Sequence, residues 1–94
     1  MKYLIIYDIT DDNLRNQVAE TLKDYGLERI QYSAFTGHLT RNKLNSLLTD
    51  LRKLVTQEGD NIKIYPICQT CSRGVKEVGS SRYRTAERKK VAFI

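Results

Sequence analysis

The chain has 94 residues, of which 40% are hydrophobic and 29% charged, a balance that excludes a disordered or membrane-embedded protein. One domain fits this length and a second does not; so short a chain buries only about 60–65% of its unfolded surface, and a homodimer is the first expectation. The net charge of +5 is concentrated: residues 73–90 hold Arg73, Lys76, Arg82, Arg84, Arg88, Lys89 and Lys90 against Glu77 and Glu87, and the remainder is balanced. A basic block on a neutral body has polyanions as its natural partners, unless it is only a solvated segment.

Lys2 to Asp8 reads as a strand apolar on both faces, as a central strand should be. The run Leu4, Ile5, Ile6 is cut by Asp8, too short for a signal core or a spanning helix, so a cytoplasmic protein without membrane contact is expected. Asp11 or Asp12 supplies an N-cap, and Leu14, Val18, Leu22 and Tyr25 recur at helical spacing until Gly26. From Leu27 to Leu39 alternation returns, with Ile30, Tyr32 and Ala34 on one face and Arg29, Gln31, Ser33 and Phe35 on the other. Thr36 and Gly37 suggest a bend dividing two strands. Thr40 caps a second helix striped by Leu44, Leu47, Leu48, Leu51, Leu54 and Val55, ending before Gly59. Asn61 to Ile67 forms the fourth strand, and Pro66 places its end at an edge or bulge. The order βαββαβ predicts an α+β, ferredoxin-like fold, one sheet with two helices on one face. The chain then reads as a single domain over 1–94, with 72–90 as a basic connecting segment and Val91 to Ile94 as an extra strand that could join a partner's sheet.

Asp8 is the main candidate for chemistry, because a carboxylate ending an apolar strand needs hydrogen bonds, a counter-charge or a cation. Two copies packing their open sheet faces about a two-fold axis would bring two Asp8 side chains together, and a divalent cation between them would offset their repulsion. Alternatively, Asp8 accepts backbone hydrogen bonds from the turn at Thr10 to Asn13. Asp11 and Asp12 are assigned to capping. Cys68 and Cys71 are only two of the four ligands zinc needs unless a dimer shares the site, and read as small buried thiols or an incidental pair before a metal or redox site. His38 reads as a packed or surface strand residue. Tyr83, between Arg82 and Arg84, could stack on a base or pack against the body.

The stretch YLIIYDITDDNLRNQVAETLKDYGLERIQYSAF resembles the N-terminal half of the small CRISPR-associated endonuclease family, the dimeric partner of the spacer integrase. The pattern is a strand ending in Tyr-Asp, Arg on the first helix, Gly at its end, then Arg-Ile-Gln-Tyr-Ser-x-Phe; it is close over residues 3–39, and the element order agrees through Ile67. The resemblance implies a homodimer with exchanged terminal strands and Mg²⁺ or Mn²⁺ held near the two-fold axis. Asp8 matches the metal-binding aspartate, Tyr7 its neighbour, and Arg15, Arg29, Ser33 and Phe35 the positions around the cleft. Gln17 stands where a second basic residue is common, a departure that bears more on cleavage than on nucleic-acid binding. The implied function is that of a CRISPR adaptation subunit binding DNA or RNA and the spacer integrase, acting as a metal-dependent endonuclease or in a purely architectural role. A toxin-like endoribonuclease acting on messenger RNA, or a ligand-sensing regulatory domain, are the alternatives.

Overall fold

The computed structural model describes residues 1–79; the expected strand at Val91 to Ile94 and the basic residues Arg82, Arg84, Arg88, Lys89 and Lys90, with Tyr83, lie outside them. In chain order the elements are β1 (Lys2–Asp8), α1 (Asp12–Asp24), β2 (Glu28–Gln31), β3 (Ala34–His38), α2 (Arg41–Leu54), β4 (Asn61–Ile67) and α3 (Gln69–Arg73). The strands form one sheet in the order β2-β3-β1-β4, with every neighbouring pair antiparallel. This is the ferredoxin-like arrangement, with β1 central and β4, which carries Pro66, at an edge.

Alternation along β1 decides what faces what. Ile5 and Tyr7 are buried, whereas Ile6 and Asp8 are exposed. Opposite Ile5 stand Phe35 on β3 and Ile64 on β4, so the same face of three strands is apolar. The helices cover that face with Val18, Ala19 and Leu22 of α1 and Leu47 and Leu51 of α2. Each fully buried side chain of Val or Leu size contributes about 1.5–3 kcal/mol. Asp11 caps α1 by accepting from the Leu14 N–H at 2.8 Å, and Thr40 caps α2 through the Lys43 N–H at 3.2 Å. Tyr25, at the end of α1, donates its hydroxyl to Asp50 Oδ2 of α2 at 2.7 Å, tying the two helices together.

Two features differ from the expectation. The joint between the second and third strands is the turn at Tyr32 and Ser33, and Gly37 lies inside β3. That turn has no local glycine; it is held from β1, where the Tyr7 N–H donates to the Ser33 carbonyl at 3.0 Å and the Tyr7 hydroxyl to the Tyr32 carbonyl at 3.3 Å. Gly37 serves close packing instead, since a Cβ there would lie 2.7 Å from Leu27 Cδ2 and 3.4 Å from Leu27 Cα. The second difference is α3, a short helix with Cys68 as its N-cap; the Cys68 sulfur accepts the Cys71 N–H at 3.2 Å, and both thiols are exposed rather than buried. Lys2 reaches this element from β1, its Nζ donating to Ser72 Oγ at 3.0 Å. No helix among the described residues is long and apolar enough to cross a membrane.

Candidate metal and nucleic-acid site

Asp8 ends β1 opposite Asn61 of β4, with its side chain on the sheet face that the helices leave open. Among the described residues its carboxylate accepts no hydrogen bond and forms no ion pair. The turn at Thr10 to Asn13, the alternative partner for Asp8, looks elsewhere: the Thr10 N–H donates to Asp60 Oδ1 at 3.1 Å, and the Leu14 N–H goes to Asp11. Asp8 is thus a solvated carboxylate held on a rigid strand end.

Tyr7 lies on the opposite face and is only 2% exposed. Its ring packs 6.2 Å from that of Phe35, which is fully buried. The Arg29 guanidinium sits 5.2 Å from the Phe35 ring centroid, and its Nη2 is 3.5 Å from the Tyr7 hydroxyl. A cation over an aromatic face and beside a phenol is favourably placed. Ser33 enters through its backbone, as the acceptor for Tyr7.

Arg15 is the clamp on the β1–α1 turn. Its Nε donates to the Ile9 carbonyl at 3.2 Å, its Nη2 to the Thr10 carbonyl at 3.1 Å, and its Nη1 to Asp12 Oδ1 at 2.7 Å and to the Tyr32 hydroxyl at 3.0 Å. A guanidinium has five N–H groups, so most of its donors are spent within the chain. The Asp12 hydrogen bond, more than the contact with Tyr32, strengthens its hold on its proton despite some desolvation. Tyr32 was not singled out from sequence, yet it joins Arg15 to the turn that Tyr7 holds, and its ring lies 5.7 Å from the Arg15 guanidinium carbon. The available signal was an aromatic residue within the Arg-Ile-Gln-Tyr-Ser run, read there as one face of a strand.

Two candidate groups are not brought together. Asp8 is at one end of β1; Ser72, next to Arg73, meets Lys2 at the other end. Arg73 and Lys76 are exposed. Near the Asp8 end, on the helix side, an open cleft of about 900 Å³ is lined by Asp11, Asp12, Glu58 and Asp60 among others. Those four acidic groups make it a poor approach for a polyanion.

Among the described residues no three His, Cys, Asp or Glu side chains are grouped to hold a metal, so a fully protein-ligated site is absent from them. An exposed, unpaired carboxylate does fit Mg²⁺ or Mn²⁺ as hard cations, because Mg²⁺ is usually held by one or two carboxylates and retains several waters.

A ferredoxin-like sheet that presents an acidic group at the end of its central strand, with an arginine-clamped turn behind it, defines the class of this domain. The pattern of the family described as CRISPR associated protein Cas2 matches residues 1–75, and the chain belongs to that family. A CRISPR-associated endoribonuclease Cas2 of Archaeoglobus fulgidus is 37% identical over 94 residues, the whole of both chains. One from Korarchaeum cryptofilum is 41% identical over 83 residues, 88% of this chain and 89% of that one. Among solved structures, a hypothetical protein of Thermus thermophilus superposes with a TM-score of 0.74 at 35% identity, covering 85% of this chain and 92% of its own. Streptococcus pyogenes Cas2 gives 0.75 at 25% identity, covering 84% of this chain and all of that one.

Proposed function

We propose that the chain is a homodimeric, metal-dependent endonuclease subunit of CRISPR adaptation that acts in the cytoplasm on RNA or DNA and binds the spacer integrase. Residues 1–94 act in this reading as one domain, with 72–90 as a basic connecting segment and 91–94 as a strand exchanged with the partner copy. The observation that carries it is Asp8, an unpaired carboxylate on a strand end fixed by Tyr7, Ser33, Tyr32 and Arg15. The names of the Archaeoglobus and Korarchaeum relatives support nuclease activity. Exposed Ile6 and Tyr65, at 40% and 45%, share the open sheet face with Asp8, Tyr65 opposite Leu4, and favour covering that face with a second copy.

In this reading Asp8 of each copy would hold Mg²⁺ or Mn²⁺, which would supply Lewis acidity towards a phosphoryl oxygen and a bound water. Arg15 keeps the β1–α1 turn in place and, with Arg29, adds positive charge near the phosphate. Tyr7, Ser33 and Phe35 hold the strand ends in register. Arg73, Lys76, Arg82, Arg84, Arg88, Lys89 and Lys90 bind the backbone of the nucleic acid.

The test compares parent and Asp8→Asn proteins on single-stranded RNA and duplex DNA, with and without Mg²⁺ or Mn²⁺, alongside light scattering. Asn keeps the size but removes the charge a hard cation requires. Metal-dependent cleavage should vanish while a dimer and salt-dependent binding persist. Equal cleavage by both proteins rejects the assignment of Asp8. A parent that binds and dimerises but never cleaves favours the architectural role, which the internally spent Arg15 donors also suit.

A further inference from the structure

The cysteine pair lies outside everything used above. Cys68 and Cys71 are both exposed and unbridged, three residues apart across the start of α3. The Cys68 sulfur accepts the Cys71 N–H at 3.2 Å, which brings the Cys68 sulfur against the Cys71 backbone. The two thiols are driven apart in acidity. Cys68 is pushed below its ordinary value, chiefly by the hydrogen bond from the Cys71 thiol and then by the Cys71 N–H, whereas the neighbouring Cys68 pushes Cys71 up.

Zinc would need about four ligands, and no third His, Cys, Asp or Glu joins the pair among the described residues. Redox chemistry needs only the two sulfurs. One thiol ready to attack and a second within reach to resolve it is the arrangement that dithiol–disulfide exchange requires.

We infer that Cys68 and Cys71 form a reversible dithiol–disulfide pair that exchanges with low-molecular-weight disulfides, Cys68 attacking and Cys71 resolving. The Cys68 thiolate attacks one sulfur of a disulfide RSSR, forming a Cys68–SR bond and releasing RS⁻. Cys71 gives up its proton and its sulfur attacks Cys68 Sγ, forming the intramolecular bond and releasing the second RS⁻. Both thiolates leave as RSH with the two protons the protein gives up. The dithiol loses two electrons and RSSR gains them. The bond would close at the point where the chain leaves β4, beside the Ser72 hydroxyl that accepts from Lys2. Oxidation would therefore act on the exit towards the basic segment.

The experiment equilibrates the full chain with mixtures of reduced and oxidised glutathione, quenches by alkylation and weighs the protein. The expected product is a single chain without covalent cross-link, lighter by the two hydrogens lost, with neither thiol alkylated. Cys71→Ser should stop at a single glutathione adduct on Cys68. Cys71→Ser keeps the backbone N–H that Cys68 accepts, so Cys68→Ser should react more slowly than Cys71→Ser near neutral pH, the gain in thiolate outweighing the loss of nucleophilicity. Two independent adducts on the parent chain, cross-linked chains, no reaction, or a faster Cys71 would each overturn the inference.

Discussion

Tyr7 and Asp8 are adjacent, yet one is sealed in the core and the other faces solvent. Strand geometry forces this, since successive side chains point to opposite faces. The consequence is that Tyr7 works through what it holds: its hydroxyl bonds the Tyr32 carbonyl and its N–H the Ser33 carbonyl. Tyr7→Phe should cost about 1 kcal/mol by losing that hydroxyl bond, seen as a fall in Tm of about 4–8 °C for a chain of this size. Cleavage measured well below the new Tm should survive; its loss without loss of stability would place the phenol in the chemistry. Asp8 was legible in the sequence because an acid ending an apolar run demands compensation. The internal commitments of Arg15 were not, because they join groups up to 17 positions apart.

At the level of elements, periodicity and caps carried most of the reading. β1 and β4 have the expected limits, and Thr40 caps α2. The β2–β3 joint escaped because its turn is fixed by β1 rather than by its own residues, and Gly37 marks a close approach to Leu27. α3 escaped because sulfur is an uncommon capping atom. The α1–α2 tie gives a pH signature. Its hydrogen bond to Asp50, aided by burial, raises the Tyr25 phenol above its ordinary value, so the folded state retains the proton more firmly than the unfolded one. The tie is fully present below about pH 10 and is lost as pH rises through the higher folded value. Tyr25→Phe should lower Tm at neutral pH and show a shallower decline than the parent in alkaline melts. Parallel declines would mean that Tyr25 does not couple the helices.

For the whole molecule, the clustering of basic residues at 73–90 was visible in the sequence, whereas its starting place relative to Asp8 needed the topology. Replacing Arg82, Arg84, Lys89 and Lys90 by Ala should weaken duplex binding and flatten the slope of log K against log salt by roughly 0.9 for each phosphate no longer neutralised. An unchanged slope would leave the block a solvated segment. The antiparallel pairing of β1 with β4 also sets a ruler. Asp8 and the Lys2–Ser72 hydrogen bond are separated by the length of β1, about 20 Å for its seven residues. Phosphates along one strand of a B-form duplex recur about every 3.4 Å of helix axis, so a duplex must reach roughly six base pairs before it can touch both ends of one protomer. Affinity titrated against duplex length should climb to about that length and then level; a curve already flat at about three base pairs would mean that only one end is ever engaged.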